Sequence, residues 1–176
     1  MEIQKVFKFC PRCGSQFGNK DNLLKCPACG LSFYINPKPC TAVVMINEKG
    51  EYLLVKRAVE PGKGLWDLPG GFVEENETFE ENARREVYEE LGIDLSNQLH
   101  YTGSHTEPYS FQGVNYPTLA VCFVCKFPRG TKPKPADDVA EYKFFSPKSL
   151  PTESFAFEAM KRDFADVALF LKKNRI

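Results

Sequence analysis

The sequence predicts an α+β chain built in two parts, a small cysteine-bound β module over residues 1–38 and a larger α+β domain over residues 39–176. Three observations carry that expectation. Four of the seven cysteines stand as two Cys-x-x-Cys pairs before residue 30. Short β-branched and apolar runs begin at Thr41, and Thr78 to Leu91 repeats apolar side chains at helical spacing. A chain of 176 residues can bury one substantial core and still carry a small appended module.

The joint between the two parts, Asn36-Pro37-Lys38-Pro39, cannot be helix interior, because proline lacks the N–H and restricts the residue before it. Beyond it, Thr41–Ile46 and Tyr52–Val55 read as strands, and Asn47-Glu48-Lys49-Gly50 between them has the composition of a turn, so the three form a hairpin. Gly62 to Gly71 holds four glycines and the lone Trp66, a loop with short extended pieces that positions the next element. Thr78 to Leu91 is a helix: Thr78 and Glu81 form a capping box, Phe79, Ala83, Val87 and Leu91 recur every four residues, and Gly92 suits the residue past its end. Strands are expected at Thr118–Phe127 and Glu141–Phe145. A second helix is expected from about Ser154 to Lys173, where Phe157, Met160, Phe164, Val167 and Leu171 share a face. The Gly- and Tyr-rich stretch around His105 receives no element, and His100 and His105 read as surface or loop histidines.

Composition narrows the partners. Lysine plus arginine equals aspartate plus glutamate at 23 each, so no global charge favours a polyanion and a nucleic-acid partner is not expected. No apolar segment has the length of a signal-peptide core or a membrane span. A soluble, cytoplasmic protein without a membrane partner is expected. In such a reducing compartment, paired cysteines point to metal before disulfides.

Cys10-Pro11-Arg12-Cys13-Gly14 and Cys26-Pro27-Ala28-Cys29-Gly30 are two knuckles with twelve residues between them. Four thiolates at this spacing suit tetrahedral Zn²⁺, and the glycines permit the positive φ that curls the backbone around sulfur. Iron is the main chemical rival. The module resembles a zinc ribbon, which implies a structural Zn²⁺ on Cys10, Cys13, Cys26 and Cys29, since four protein ligands leave no open position for catalysis. Cys122 and Cys125 have the same spacing but fall in a strand, where residues three apart face opposite ways; with Cys40 they read as small core residues.

The helix from Thr78 carries the chemistry. At about 100° per residue, Glu86, Glu89 and Glu90 occupy one sector at the edge of the buried face. Three adjacent carboxylates repel, and they sit in the last turns, where the helix dipole favours cations. Arg85, four residues before Glu89, can pair with it, but one guanidinium does not neutralise three acids. Hard divalent cations with oxygen preference, Mg²⁺ or Mn²⁺, complete the balance.

Gly71 is followed after five residues by Glu77, after seven more by Arg85-Glu86-Val87, and then by Glu89-Glu90, Gly92 and Ile93. This run resembles the Nudix box, G-x5-E-x7-R-E-U-x-E-E-x-G-U with U a bulky aliphatic residue, at every defining position. Flanking strands extend the resemblance over most of residues 40 to 150. It implies a Nudix α/β/α sandwich with a mixed sheet, and a hydrolase that splits a diphosphate bond in a small nucleotide substrate with Mg²⁺ or Mn²⁺. As in many members of the family, it also implies a homodimer. By position, it implies that Glu86, Glu89 and Glu90 bind metal with the Gly71 carbonyl as a further ligand, and that Glu86 also serves as base. Arg85 orients an acidic neighbour, and Glu77 makes an outer metal contact. A bound cation neutralises phosphate oxygens and lowers the pKa of a water held in line with phosphorus. Members often recruit one more carboxylate; Glu141, Asp137 and Asp138 are candidates, and Glu141 equally fits an ordinary strand-edge glutamate.

A ribbon followed by a Nudix domain resembles the NADH, FAD and ADP-ribose pyrophosphatase groups. The Ser-Gln-Pro-Trp-Pro-Phe-Pro-x-Ser signature of the NADH group is absent; the corresponding region runs from His105 to Gly113. Leu150 to Phe157 looks like a stretch of ribbon-containing FAD and ADP-ribose hydrolases, so ADP-ribose, giving AMP and a phosphorylated remainder, leads over FAD and NADH. Trp66, Tyr109, Phe111 and Tyr116 either stack on a ring of the substrate or complete the core. Two readings of another class stand beside this one: a ligand-sensing or nucleic-acid-binding Nudix regulator, supported by Lys5, Lys8, Arg12, Lys20, Lys25 and Lys38 against Glu2 and Asp21, and a hydrolase of capped RNA ends.

Overall fold

The computed structural model describes residues 1–18, 21–96, 98–174 and 176. The chain divides into two compact units, Met1–Lys38 with Pro108–Thr118, and Pro39–Glu107 with Leu119–Ile176. Lys20, one of the basic residues of the cysteine module, lies outside the described residues.

The first unit holds a 3-10 turn at Ile3–Lys5 and an antiparallel pair, β1 (Leu23–Lys25) and β2 (Ser32–Tyr34), with Leu24 opposite Phe33. Its core is Ile3, Cys10, Phe17, Leu24, Cys26 and Ile35, closed over by Val114 and Tyr116. The N-terminal ammonium donates to the Gly113 carbonyl at 2.6 Å and Asn115 N–H to the Met1 carbonyl at 2.8 Å. Thus the segment 108–118 belongs with this unit, although the proline-rich joint alone suggests a module made only of residues before 39.

The remaining elements are β3 (Lys38–Ile46), β4 (Tyr52–Arg57), β5 (Trp66–Asp67), α1 (Phe79–Leu91), β6 (His100–Phe111), β7 (Val114–Lys126), β8 (Val139–Phe145) and α2 (Ala159–Lys173). The strands form one sheet in the order β5-β4-β3-β7-β6, with β8 antiparallel to β4. Residue parity explains the layers. Val43 and Met45, Leu53 and Val55, and Val121, Phe123 and Cys125 pack with Ala83, Val87 and Leu91 of α1. Their neighbours Val44, Tyr52, Leu54, Cys122 and Val124 pack with Met160, Phe164 and Val167 of α2. A strand turns alternate residues to opposite faces, so continuous apolar runs here mean a sheet covered on both sides. The fold is the expected α+β sandwich, and Cys122 and Cys125 are core residues on opposite faces.

Three expectations change. The stretch around His105, where the sequence predicts no element, is a twelve-residue strand, β6, joined to β7 through Gln112 and Gly113, both at positive φ as in a type I′ hairpin turn. Its half-exposed sequence, with Gly103 and Pro108 inside, gives no apolar alternation to read. The second helix starts at Ala159, after a 3-10 turn at Thr152–Ser154, rather than near Ser154. Cys40 is only half-buried, bridged to Phe72 at the start of the sheet. Among the described residues, no helix is long and apolar enough to cross a membrane.

Candidate active site

Helix α1 is fixed at both ends, which sets where its acids point. Thr78 Oγ1 accepts from Glu81 N–H at 3.2 Å, Glu81 Oε2 accepts from Thr78 N–H at 2.8 Å, and Gly92, at φ 65°, donates to the Tyr88 carbonyl. With Ala83, Val87 and Leu91 fully buried, the acids grade in depth: Glu90 is buried, Glu86 half-buried and Glu89 exposed.

Arg85 ties Glu77, Glu86 and Glu89 together. Its Nε donates to Glu77 Oε1 at 2.8 Å, its Nη1 to Glu86 Oε1 at 2.9 Å and Glu89 Oε2 at 2.8 Å, and its Nη2 to Glu77 Oε2 and the Phe72 carbonyl, both at 3.1 Å. Glu77 also accepts from Glu74 N–H and from Asn82 Nδ2, and Arg85 above all holds its carboxyl down at about 2. Burial pushes Glu86 up despite Arg85. Burial, with Asp67 and Glu86 nearby, pushes Glu90 well up, although Gly70 N–H donates to it at 3.2 Å. One guanidinium therefore leaves the inner carboxylates undercompensated.

The loop before the helix is laid against β3. Thr41 N–H donates to the Gly71 carbonyl, Val43 N–H to Pro69 and Val73 N–H to Pro39. A Cβ on Gly70, at φ 147°, would run into the Thr41 carbonyl, and one on Gly71 would lie 2.5–2.7 Å from the Glu86 carboxylate. The two glycines thus let the loop backbone approach both strand and acid. Asn82, fully buried, accepts from Thr41 Oγ1 and donates to the Phe72 carbonyl at 2.8 Å, pinning loop to helix.

Two residues beside the acids carry no signal in the sequence. Arg57 donates to Asp67 Oδ2 at 2.8 Å and to the Pro61 carbonyl at 2.6 Å, with its guanidinium 5.3 Å from the Phe157 ring centre. Burial raises Asp67 while Arg57 opposes the rise, and Asp67 is itself a charge felt by Glu90. The run Leu54-Val55-Lys56-Arg57 reads locally only as a strand; a half-buried Arg outside the box has no local pattern. Glu141, by contrast, stands opposite Lys56 in the β4–β8 register and pairs with its Nζ at 2.8 Å, while Asp137 and Asp138 are exposed. His105, which has no partner pattern in the sequence, lies 2.9 Å from Asp166 and 3.7 Å from Asp163; its partners are 58 or more residues away, beyond any local signal. Among the aromatics, Trp66 packs edge-on against Phe145, and Tyr116 lies in the core of the first unit under Lys38.

The cysteines converge in the first unit. Cys10 and Cys29 sulfurs are 3.7 Å apart, Cys13 and Cys26 3.6 Å, and all four lie within 4.8 Å of one another. Tetrahedral ligands at a Zn–S distance of roughly 2.3 Å are separated by roughly 3.8 Å, so the cluster fits a structural metal. The knuckles repeat: Gly14 donates to Cys10 and Gly30 to Cys26, both at φ 74°. The Ser15 hydroxyl and backbone lower the Cys13 thiol to about 6, while, against the Leu31 backbone, burial and the neighbouring sulfurs raise Cys29 to about 11.

An α+β sandwich whose loop–helix junction gathers glutamates around one arginine is the architecture of a known domain family. Residues 36–165 match the model described as NUDIX domain, and the chain belongs to that family. Curated relatives include the NAD-capped RNA hydrolase NudC of Haemophilus influenzae, 31% identical over 162 residues covering 86% of this chain and 58% of the relative. NudC of Deinococcus radiodurans is 28% identical over 98% of this chain and 60% of the relative. The chain therefore spans about three-fifths of these relatives' length. The crystal structure of a NUDIX hydrolase from Nitrosomonas europaea superposes with a TM-score of 0.65 at 28% identity, covering 90% of this chain and 91% of that one.

Proposed function

We propose that the chain is a divalent-cation-dependent pyrophosphatase acting on a nucleoside diphosphate linked to another moiety and releasing AMP from an adenine substrate. The observation that carries this is the undercompensated cluster: Glu86 and Glu89 share the Arg85 guanidinium with Glu77, Glu90 accepts from the Gly70 N–H, and burial disfavours charge on Glu86 and Glu90. Oxygen-only donors of this kind fit Mg²⁺ or Mn²⁺, with Glu86, Glu89, Glu90 and the Gly71 carbonyl as ligands. The cation supplies charge neutralisation at the phosphates and an acidified water. Arg85 sets the rotamers of Glu86 and Glu89, and its clip on Glu77 and the Phe72 carbonyl keeps loop and helix in register. Glu86, half-buried with a raised proton affinity, is suited to take the proton of the attacking water. Glu77, saturated by Arg85, Asn82 and Glu74, acts through Arg85. Glu141 keeps Lys56 as its partner and contributes nothing essential. A structural Zn²⁺ holds the four cysteines, in a reducing, cytoplasmic setting.

The relatives named NAD-capped RNA hydrolases favour NADH or an NAD-bearing RNA end, whereas the run Leu150–Phe157 favours ADP-ribose; both readings break the same kind of bond. The test is a panel of NADH, ADP-ribose, FAD and NAD-capped RNA with Mg²⁺ or Mn²⁺, products resolved chromatographically. AMP, or a 5′-monophosphate RNA end, supports the reading; no turnover of any member contradicts it.

A further inference from the structure

The chain's net charge of zero conceals an asymmetry. The first unit carries six lysines and arginines against two acids, net +4, and the rest of the chain 17 against 21, net −4. Lys20 lies outside the described residues; the other five, Lys5, Lys8, Arg12, Lys25 and Lys38, are all exposed. The unit also turns aromatic surface outward. In β1 and β2, Leu24 and Phe33 are register partners on the core side, so the pairs Leu23–Tyr34 and Lys25–Ser32 lie on the opposite face. Tyr34 is 63% exposed, and Phe9, between Lys8 and the ligand Cys10, is 62% exposed. The unit's core is already closed without either ring.

We propose that the exposed basic and aromatic surface of the cysteine module is a docking surface for single-stranded RNA, with bases stacking on Tyr34 and Phe9 and phosphates meeting Lys8 and Lys25. Positive charge complements the phosphate backbone, and a π-face accepts any unpaired base. Three-residue strands offer neither a helix nor a long ribbon to a duplex groove, so the single strand is the fitting occupant. The ribbon then has a role beyond holding its own fold, and the proposal goes beyond the expectation, drawn from the balanced total charge, that nucleic acid is not a partner. The proposal rests on the catalytic reading only for the use of RNA as substrate; the surface itself is testable without turnover.

The assay is fluorescence anisotropy of the zinc-loaded full chain with an uncapped 12-nucleotide single-stranded RNA across a salt series, beside turnover of free NADH and ADP-ribose. Tyr34→Ala and Phe9→Ala each weaken affinity by about fivefold or more, the lower bound of base–aromatic stacking. Lys8→Ala and Lys25→Ala each flatten the log–log salt slope by about 0.7. Hydrolysis of the free dinucleotides is unchanged in all four, and equal zinc content verifies that the module is folded. Affinity within twofold of the parent in both aromatic variants overturns the proposal, as does tighter binding of a 12-base-pair duplex. If the same variants instead shift sedimentation from oligomer to monomer at unchanged RNA affinity, the face joins copies of the chain and the proposal falls. A chain that binds RNA through Tyr34 but turns over no dinucleotide leaves the surface standing and sinks the catalytic reading alone.

Discussion

Replacing Asp163 by asparagine removes a carboxylate that the fold places badly for a charge. Gly103, His105 and Glu107 alternate along one face of β6 toward α2, and Glu107 caps that helix by accepting from Glu158 and Ala159 N–H at 3.0 and 2.8 Å. His105 sits 2.9 Å from Asp166 but 3.7 Å from Asp163 Oδ1, which is buried and has no hydrogen-bond partner among the described residues. Burial raises Asp163 from 3.8 to about 6, with His105 working against the rise. An acid raised on folding binds its proton more tightly in the native than in the unfolded chain, so stability falls as pH rises from about 4 through about 6. Roughly two units at about 1.4 kcal/mol each give a native-state cost of up to about 3 kcal/mol at pH 8. Asp163→Asn should therefore gain about 1–3 kcal/mol over the parent at pH 8 and converge with it near pH 4. Urea titrations of both proteins between pH 4 and 8 measure the difference, in which titrations common to both cancel. A variant less stable than the parent at pH 8 refutes the reasoning and makes the carboxylate a net favourable partner of His105.

Other substitutions probe single contacts. Gly71→Ala puts a methyl group against the Glu86 carboxylate; turnover should fall at least about tenfold, in line with displacement of a catalytic group, while the melting temperature moves little. Thr78→Ala removes the capping box of α1 and should cost about 1 kcal/mol in a urea titration. Cys26→Ser breaks both the sulfur cluster and the core of the first unit; zinc content by elemental analysis should drop and residues 1–38 should become the first site of proteolysis, whereas an unchanged digestion pattern argues against a metal-held module.

Much of the fold is legible where local rules and burial agree. The capping box, the four-residue apolar repeat and Gly92 define α1 without reference to anything else, and runs such as Val43-Val44-Met45 announce strands covered on both faces. Strand β6 is not legible because an edge strand that meets α2 through His100, His105, Glu107, the Thr106 carbonyl and a glycine needs no apolar alternation. The acids are legible as a motif, but their unequal depth is not, since it depends on β4 and β5 bringing the Arg57–Asp67 pair near Glu90. Asn82 is hidden for a similar reason: inside a helix of charged residues, only the tertiary contacts to Thr41 and Phe72 distinguish it. The total charge averages over two units of opposite sign, so the basic character of the first unit does not show in it.

The central claim is that the α1 glutamates hold divalent cations against a substrate diphosphate. It is tested most directly by titrating Mg²⁺ and Mn²⁺ into turnover of NADH and ADP-ribose by the parent and by Glu86→Gln. The account predicts saturable, metal-dependent release of AMP by the parent and a loss of about a hundredfold or more in the variant. Turnover by Glu86→Gln close to the parental rate at saturating Mg²⁺ would contradict it.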